Sequence, residues 1–158
     1  MKTLFVARTY PPLIGGMERF ASDFYHTLSK TVAVDLLANP RGKEAIVPFY
    51  FKCLWYLMRN GKKYDIIHFN DATMAALIPA IRLLSRAKVT FTVHGLDILY
   101  TRFGYQRIIP GNLKNADRVF AVSRHARQLC IGKGIPPEKV AVIPNGINLE
   151  LVHNASPE

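Results

Sequence analysis

The sequence predicts an α/β fold, a three-layer αβα sandwich in which helices cover both faces of a mostly parallel sheet of about six strands. Short apolar runs rich in β-branched residues alternate with amphipathic segments from one end of the chain to the other. Strands that are joined by helices form parallel sheets with right-handed crossovers. A hydrophobic content of 49% over 158 residues is sufficient for one domain with its own core.

The alternation gives each predicted element a position along the chain. Six segments are predicted to be strands: Thr3–Ala7, Thr31–Ala38, Asp65–Phe69, Lys88–Val93, Arg118–Val122 and Lys139–Ile143. Helices are predicted between them, at residues 17–28, 46–59, 72–86 and 124–133, with Pro79 kinking the third helix or delaying its start. Residues 95–115 are mixed in character. Because Pro110 and Gly111 interrupt them, only the part after Asn112 is expected to be helical.

The chain is strongly basic, with 21 Lys and Arg against 11 Asp and Glu and a formal charge of +10. Such a surface favours anionic partners such as sugar nucleotides, acidic lipid headgroups or nucleic acid, although the same charge also serves solubility. No recognisable nucleic-acid module accompanies it, so no nucleic acid is expected as a partner. No Cys, His, Asp and Glu cluster has metal-ligand spacing, and Cys53 and Cys130 are expected to be buried free thiols.

The segment from Ile46 to Met58 is the longest apolar stretch, and it is too short to span a bilayer. Together with the absence of a signal-peptide pattern, this predicts a cytoplasmic protein. Aromatic residues crowd the segment and basic residues flank or interrupt it: Phe49, Tyr50, Phe51, Trp55 and Tyr56, with Arg41, Lys43, Lys52, Arg59, Lys62 and Lys63. Apolar residues almost surround the helix, which favours core packing. The alternative is a helix in peripheral contact with the cytoplasmic face of an anionic membrane.

Ligands of parallel α/β sheets bind beyond the carboxyl ends of the strands, so the loops that follow strands contain the candidate site. In the first of these loops, Gly15 and Gly16 directly precede a predicted helix. Glycine leaves room for a ligand there, and the amides at a helix N-terminus favour a phosphate or a carboxylate. Gly15 and Gly16 are therefore candidate phosphate-binding residues, with Glu18 lining the cleft. A turn that needs glycine for steric reasons alone is an equally open interpretation.

The loop after the fourth strand contains His94, Gly95 and Asp97 and presents an imidazole at the carboxyl end of that strand. A neutral imidazole can donate a hydrogen bond to a sugar hydroxyl, and Asp97 can orient an acceptor hydroxyl or accept its proton. His94 and Asp97 are therefore the candidate catalytic residues. The structural alternatives are a hydrogen bond within the loop for His94 and a helix cap for Asp97.

Other strand ends supply further candidates to line the cleft: Asn70, Asp71, Ser123, Arg124 and Asn145. Ser123 is also a suitable N-cap for the helix that follows it. His68 lies inside a buried strand, so we expect it to be a hydrogen-bonded core residue and not a ligand.

Several nucleotide-binding and hydrolytic motifs are absent from the sequence. The dinucleotide fingerprint would place glycines at positions 14, 16 and 19, where the chain has Ile14, Gly16 and Arg19. The Walker phosphate loop and the nucleophile elbow of hydrolases are also missing. A nucleotide-binding oxidoreductase is therefore only a minor hypothesis.

Five segments, taken in order, resemble one family. They are Pro11-Pro12 with Gly15-Gly16-Met17-Glu18, Tyr64 to His68, Thr92 to Asp97, Ala116 to Ser123, and Glu138 to Gly146. The chain resembles the N-terminal, Rossmann-like, acceptor-side domain of retaining glycosyltransferases of family 4, which have the two-domain GT-B fold. Residues 1–158 would then form that domain, with residues 144–158 starting an interdomain linker and the C-terminal nucleotide-sugar-binding domain absent from the chain.

The resemblance implies a division of roles between the two domains. The N-terminal domain would bind the acceptor, which is a glycan, a lipid or a small molecule, and the C-terminal domain would hold the nucleotide-sugar donor. Gly16 would offer its amide to the donor diphosphate, and His94 would lie against the donor sugar. Such hexosyltransferase-type enzymes usually use no metal or other cofactor and retain the anomeric configuration, with the leaving phosphate taking the acceptor proton. A chain without the donor domain would be inactive.

The chain departs from the family pattern at two positions. Asn70 replaces a second histidine that the family often has, and Asn148 replaces the Asp that usually ends the last motif. The first departure weakens the case for family-type acceptor contacts near Asn70. The alternative function is a stand-alone binding module for a phosphorylated or lipid-linked ligand, without catalysis.

Overall fold

The computed structural model of the chain describes residues 1–102 and 104–146, except for the side chain of Lys43. The linker predicted at residues 144–158, including Asn148, therefore lies mostly outside the described residues. The strands are β1 Lys2–Ala7, β2 Ala33–Ala38, β3 Ile66–Phe69, β4 Lys88–Val93, β5 Arg118–Ala121 and β6 Val140–Val142. The α-helices are α1 Gly16–Ser29, α2 Ile46–Asn60, α3 Ile78–Leu84, α4 Leu96–Leu99, α5 Tyr105–Leu113 and α6 Arg124–Gly132.

All strand pairs of the sheet are parallel, in the order β2-β1-β3-β4-β5-β6. The chain steps to one side of β1 to form β2, and every later connection steps to the other side. Right-handed crossovers therefore put α1 on one face of the sheet and the later helices on the opposite face. The predicted sandwich with a parallel sheet is confirmed.

The side chains of β1 alternate between two hydrophobic cores, because successive residues of a strand point to opposite faces. Phe5 and Ala7 pack with Ala21 of α1 on one face. Leu4 and Val6 belong to a larger cluster on the other face, to which all the later helices contribute. Burial on both faces explains why β1 is an uninterrupted apolar run after its first two residues.

The two cysteines are buried free thiols in this larger cluster, as predicted. Burial raises the pKa of Cys53 in α2 and of Cys130 in α6 to about 12. Both therefore remain protonated at neutral pH, which makes them core residues and not nucleophiles.

The prediction for the segment before β5 is wrong. α5 continues through Pro110 to Leu113, although a helix was expected only after Asn112. Proline removes one helical hydrogen bond. However, Ile109, Pro110 and Leu113 are buried, and α5 packs against a 3-10 turn at Ala72–Leu77. The burial of this apolar face outweighs the local cost of proline, and that burial depends on a distant segment of the chain.

The same 3-10 turn explains the delayed start of the helix that follows β3. The α-helical part begins only at Ile78, and Pro79 lies in its first turn. Proline is well tolerated there because the N–H that it lacks would have no partner within the helix. The predicted effect of Pro79 is therefore confirmed as a late start.

His68 is a core residue, as the sequence predicts. Its Nδ1 lies 2.8 Å from the hydroxyl of Thr90 and its Nε2 lies 3.1 Å from the hydroxyl of Thr92, so both ring nitrogens are hydrogen-bonded. The ring stacks on Phe5 at 5.7 Å and on Phe24 at 5.3 Å. Burial, with a smaller effect from His94, lowers the pKa of His68 to about 3, so the residue is neutral at physiological pH.

A first prediction concerns the larger core. Ile81 in α3 is fully buried, whereas Leu83 on the same helix is 88% exposed. We expect Ile81→Ala to lower the free energy of unfolding by about 2–5 kcal/mol, because it leaves a cavity, and Leu83→Ala to change it by less than about 0.5 kcal/mol. Urea denaturation measures both. Equal losses in the two variants would show that the outer side of α3 is buried in solution.

A second prediction concerns the pH dependence of stability. The unfolded chain takes up a proton at His68 near pH 6.5, whereas the folded chain resists protonation down to about pH 3. Stability is therefore lost as the pH falls through this window, by up to about 1.4 kcal/mol per pH unit. His68→Gln should reduce this slope, measured by urea denaturation between pH 6.5 and 4. His125→Gln offers a matched control, because it makes the same substitution at an exposed position. An unchanged slope in His68→Gln would contradict the prediction.

Candidate functional site

The loops that the sequence singles out meet at the carboxyl edge of the sheet. Because all described strands are parallel, their carboxyl ends lie on one edge. β1, β3 and β4 are adjacent in that order, so Arg8, Asn70 and His94, which follow these three strands, are brought side by side. The structure thus gathers residues that are as many as 86 positions apart in the sequence (94 − 8).

His94 is held by a single hydrogen bond to the neighbouring loop. Its Nε2 lies 2.9 Å from the main-chain oxygen of Asn70. A carbonyl oxygen only accepts, so Nε2 carries the proton and donates it. Nδ1 has no hydrogen-bond partner within the described residues, and in the neutral ring it is an acceptor. The sequence prediction had neutral His94 donating to a sugar hydroxyl, whereas this geometry leaves its free nitrogen to accept from one.

Gly95 and Asp97 fix the main chain on either side of the imidazole. Gly95 has φ 101°, a conformation that side-chain-bearing residues rarely adopt, and it turns the chain into α4. The Oδ1 atom of Asp97 accepts from the N–H of His94 at 3.0 Å and from that of Gly95 at 2.8 Å. Its Oδ2 atom accepts from the N–H of Ala72 at 3.0 Å, so Asp97 ties the loop after β4 to the loop after β3.

This arrangement gives Asp97 a structural part in the site. Both carboxylate oxygens are engaged and the side chain is buried. Burial raises the pKa of Asp97, while the hydrogen bonds from Ala72 and His94 act in the opposite direction. The main-chain oxygen of Asp97 in turn accepts from the hydroxyl of Tyr105 in α5. Asp97 therefore positions the loop that carries His94.

Asn70 is buried beside His94 with an unsatisfied side chain. It is 1% exposed, and its N–H donates to the carbonyl of Val6 at 2.9 Å. Neither Oδ1 nor Nδ2 of its amide has a hydrogen-bond partner within the described part of the chain. Buried amides are normally hydrogen-bonded, and an unpaired one costs about 1–3 kcal/mol. The unpaired amide makes Asn70 a candidate for a polar contact with a ligand at this edge.

Arg8 and Asp71 form a buried ion pair next to Asn70. The Nε atom of Arg8 donates to Oδ2 of Asp71 at 3.0 Å, and Asp71 is 1% exposed. Oδ1 of Asp71 accepts from the N–H of Thr73 at 2.9 Å and caps the 3-10 turn. Burial alone would lower the pKa of Arg8, but the charge and hydrogen bond of Asp71 outweigh it and raise that pKa. Asp71 is thus occupied by protein groups.

The glycine turn lies at the start of α1, where the prediction located it. Gly15, at φ 170°, is in the extended region, and neither Gly15 nor Gly16 has a φ in the left-handed region. An added Cβ at Gly15 would meet the carboxylate end of the Glu18 side chain, which can move away, so space alone does not require glycine there. An added Cβ at Gly16 would meet nothing within 4 Å. No side chain caps this helix, so its first-turn amides face an open approach over Gly16.

Phe20 joins the glycine turn to the imidazole. It lies one helical turn after Gly16, and its ring meets that of His94 edge-on at 5.0 Å between centroids. Gly16 and His94 therefore lie at the same end of the sheet, as the sequence interpretation requires.

The candidates after β5 and β6 lie farther along the same edge. Ser123 accepts from the N–H of Ala126 at 3.0 Å and caps α6, so its hydroxyl has a structural partner. Arg124 and Asn145 are exposed. Within the described residues, no hydrogen bond or ion pair joins these three to the group around His94.

The sequence interpretation missed Arg8, Phe20 and Tyr105. Arg8 follows β1 directly, and a basic residue at a strand's carboxyl end was a detectable signal. Its pairing with Asp71 needed the order of β1 and β3 in the sheet. Phe20 was expected only as a residue of the helix predicted at residues 17–28. Tyr105 lay in a segment whose helix was not predicted.

The site combines groups that suit a hydroxylated, anionic ligand. His94 offers a ring acceptor, Asn70 an amide donor and acceptor, and Gly16 the N-terminus of a helix. The two carboxylates beside His94 and Asn70, those of Asp71 and Asp97, are hydrogen-bonded to protein groups. Among residues 1–102 and 104–146, no group of His, Cys, Asp and Glu is arranged to hold a metal ion.

Solved structures with this fold include a protein in complex with UDP-glucose and a galactosyltransferase. Anabaena HepE in complex with UDP-glucose matches with a TM-score of 0.65 and 22% identity, over 96% of this chain and 45% of that chain. HepE in complex with UDP matches with a TM-score of 0.65 and 20% identity, over 96% of this chain and 46% of that chain. The lipopolysaccharide outer core galactosyltransferase WaaB, in its apo form, matches with a TM-score of 0.64 and 18% identity. This match covers 93% of this chain and 46% of that chain. The chain thus spans less than half the length of the structures it matches.

Sequence comparison gives the family. No curated protein sequence matches the chain. The model of Glycosyltransferase Family 4 matches residues 14–151, which is most of the chain. With the Rossmann-like sheet and the GT-B relatives in agreement, the chain belongs to glycosyltransferase family 4.

Proposed function

We propose that the chain is the acceptor-side domain of a retaining, hexosyltransferase-type enzyme that moves a sugar from a nucleotide-sugar donor to a glycan, lipid or small-molecule acceptor. The observation that carries the proposal is the pairing of a fixed imidazole with an orphaned buried amide at the carboxyl edge of the sheet. The uncapped start of α1 lies at the same edge, joined to the imidazole by Phe20. Family membership supports the reaction class.

Each group has a separate task in this proposal. The amides at Gly15 and Gly16, with the α1 dipole, stabilise the donor diphosphate and the negative charge that develops on it as the glycosidic bond breaks. Nδ1 of His94 accepts from a hydroxyl of the donor sugar and fixes its orientation. Asn70 supplies an amide to a second polar group of the bound substrates. Asp97 is a positioning residue that acts through His94.

The state of the two carboxylates beside His94 supports a mechanism in which neither of them is a nucleophile. Asp71 and Asp97 are committed to Arg8 and to main-chain amides. In the proposed reaction the acceptor oxygen forms the new bond to the anomeric carbon as the bond to the diphosphate breaks, and the leaving phosphate takes the acceptor proton. The anomeric configuration is retained, and no cofactor beyond the nucleotide sugar is needed. Glu18, Ser123, Arg124 and Asn145 line the cleft around these groups.

The direct test uses the complete protein that contains this domain. Transfer or hydrolysis of UDP-glucose and other nucleotide sugars is measured for the complete protein and for the 158-residue chain alone. We expect turnover only in the complete protein, because both substrates must be held together for most of the rate. Robust turnover by the chain alone would contradict the split cleft. No turnover by either, together with binding of a phosphorylated or lipid-linked ligand, would favour the binding module.

A third prediction concerns His94. His94→Gln in the complete protein should lower kcat/KM by about 100-fold, because glutamine keeps a donor for the carbonyl of Asn70 but lacks the ring acceptor. The urea midpoint of the variant should stay close to that of the unaltered protein, because His94 is only partly buried. His125→Gln, on the exposed side of α6, is the matched control and should keep full activity. An active His94→Gln enzyme would remove His94 from the reaction.

A fourth prediction compares two buried asparagines that each follow a strand directly. Asn39 follows β2, and its side chain is hydrogen-bonded to the carbonyl of Gly42 at 2.9 Å and the N–H of Arg41 at 3.1 Å. Asn70 follows β3, and its side chain has no partner in the described chain. Asn39→Leu should lower the free energy of unfolding by about 1–3 kcal/mol, whereas Asn70→Leu should leave it unchanged or raise it. In the complete protein, Asn70→Leu should reduce turnover.

Urea denaturation of the chain measures the stability changes of Asn39→Leu and Asn70→Leu. The transfer assay measures the turnover of the Asn70→Leu protein. If Asn70→Leu destabilises the chain as much as Asn39→Leu does, the amide has a structural partner and the proposed substrate contact fails. If Asn70→Leu leaves both stability and turnover unchanged, Asn70 takes no part in binding.

A further inference from the structure

The outer side of α2 carries a second apolar stripe that the core does not use. Val47, Phe51, Trp55 and Met58 recur at helical spacing and are 65%, 68%, 51% and 60% exposed. The inner stripe of the same helix, including Phe49, is buried in the larger core. The predicted core packing is thus confirmed for one side of α2, and the opposite side is apolar and open.

α3 extends this outer stripe into a groove. Leu83 is 88% exposed, and it lies with Leu84 across from α2. The groove has a volume of about 510 Å³ and is lined by Phe51, Leu54, Trp55, Met58, Leu83 and Leu84. A large exposed apolar surface of this kind marks an interaction site. We call it the α2–α3 groove.

Basic residues predominate around the groove, and Glu44 before α2 and Asp65 after residue 64 are the flanking acids. Residues 46–64 contain Lys52, Arg59, Lys62 and Lys63 and no Asp or Glu. Residues 72–96 contain Arg82, Arg86 and Lys88 and again no acid. Arg82 and Lys88 are paired with Asp117. For the other five, no salt bridge is present within the described residues.

Arg59 stacks its cationic side chain on Trp55, a residue of the exposed apolar stripe of α2. Its guanidinium carbon lies 4.1 Å from the centroid of the Trp55 ring. A cation stacked on an indole lets the aromatic ring enter an apolar phase while the charge stays at its polar boundary. Tryptophan and arginine are both favoured at the interface between membrane and water.

We propose that the α2–α3 groove is a docking surface for an anionic lipid bilayer. Phe51, Trp55 and Leu83 enter the boundary between headgroups and acyl chains, and the surrounding cations contact lipid phosphates. In this docking α2 lies in the plane of the interface, because its exposed apolar stripe runs along the helix. No helix of the described chain is long and apolar enough to cross a membrane. The proposal does not depend on the proposed reaction.

Charge decides between a bilayer and a second copy of the chain. Two copies joined through the groove would bring Lys52, Arg59 and Arg86 of one against the same cations of the other, without acids to compensate them. An anionic lipid surface neutralises all of these charges at once. The formal charge of +10 on the chain adds long-range attraction to the same surface.

A fifth prediction follows, measured by co-sedimentation of the chain with lipid vesicles. Vesicles of phosphatidylcholine with about one third phosphatidylglycerol should bind the chain at least about tenfold more tightly than phosphatidylcholine alone. Binding should weaken as the salt concentration rises, because surface attraction is screened. Absence of binding to the anionic vesicles at low salt would overturn the proposal.

Paired variants connect the binding to the groove. Phe51→Ser combined with Trp55→Ser should weaken binding by at least about tenfold, because exposed aromatic surface no longer enters the bilayer. Ile143→Ser, at a 53% exposed residue beyond β6, should leave it unchanged. Lys52→Gln should weaken it by about fivefold. Lys30→Gln, at the end of α1 on the opposite face of the sheet, should have a smaller effect.

Folding and self-association are measured on the same variants. All substituted residues are exposed, so their urea midpoints should match that of the unaltered chain. Equal weakening by Ile143→Ser and by the Phe51 and Trp55 pair would overturn the proposal. So would a dimer in sedimentation equilibrium that this pair abolishes, since the groove would then be an interface between copies.

Discussion

The carboxylate of Asp97 is the interaction on which the rest of the site depends. It accepts main-chain N–H groups from Ala72, His94 and Gly95, and so joins the loops that follow two neighbouring strands. A buried carboxylate is unfavourable unless such hydrogen bonds compensate it, and here they do so with amides that lack other partners. The imidazole of His94 then reaches back to Asn70 and closes the connection between the two loops. Protein groups alone therefore organise this edge of the sheet.

The buried polar groups at this edge differ in how well they are satisfied. Both carboxylate oxygens of Asp71 and of Asp97 are engaged with protein groups, whereas the amide of Asn70 is left without a partner in the described chain. Proteins generally satisfy buried polar atoms, and exceptions concentrate where function requires them. This contrast separates the groups that hold the loops together from the amide that we propose for a ligand contact. Asn70 also differs chemically from a histidine at this position, since an amide offers a donor and an acceptor without a charge.

The helices show a corresponding division between structure and interaction. α2 buries one apolar stripe and exposes another, and α3 buries Ile81 while it exposes Leu83. The hydrophobic content of the sequence cannot distinguish the buried side from the exposed side. A helix that is apolar all round is compatible both with core packing and with contact to a membrane. The sheet uses only the inward sides, so the outward sides and their basic surroundings are available for a partner. The domain thus presents a polar edge at the carboxyl ends of the strands and an apolar, cationic face on its helical layer.

The sequence by itself determined the strands, most helices, the loops of the site and the family resemblance. Hydrophobic periodicity and turn residues such as Gly95 determine structure over a few neighbouring positions, so they can be recognised in the sequence. Only the tertiary structure decided the helix through Pro110, the bridging carboxylate of Asp97 and the unsatisfied amide of Asn70. The physical reason is that burial and hydrogen-bond partners depend on segments far apart in the chain. The sequence shows which groups are present, but a donor or acceptor is satisfied or left free only once the sheet has set its neighbours.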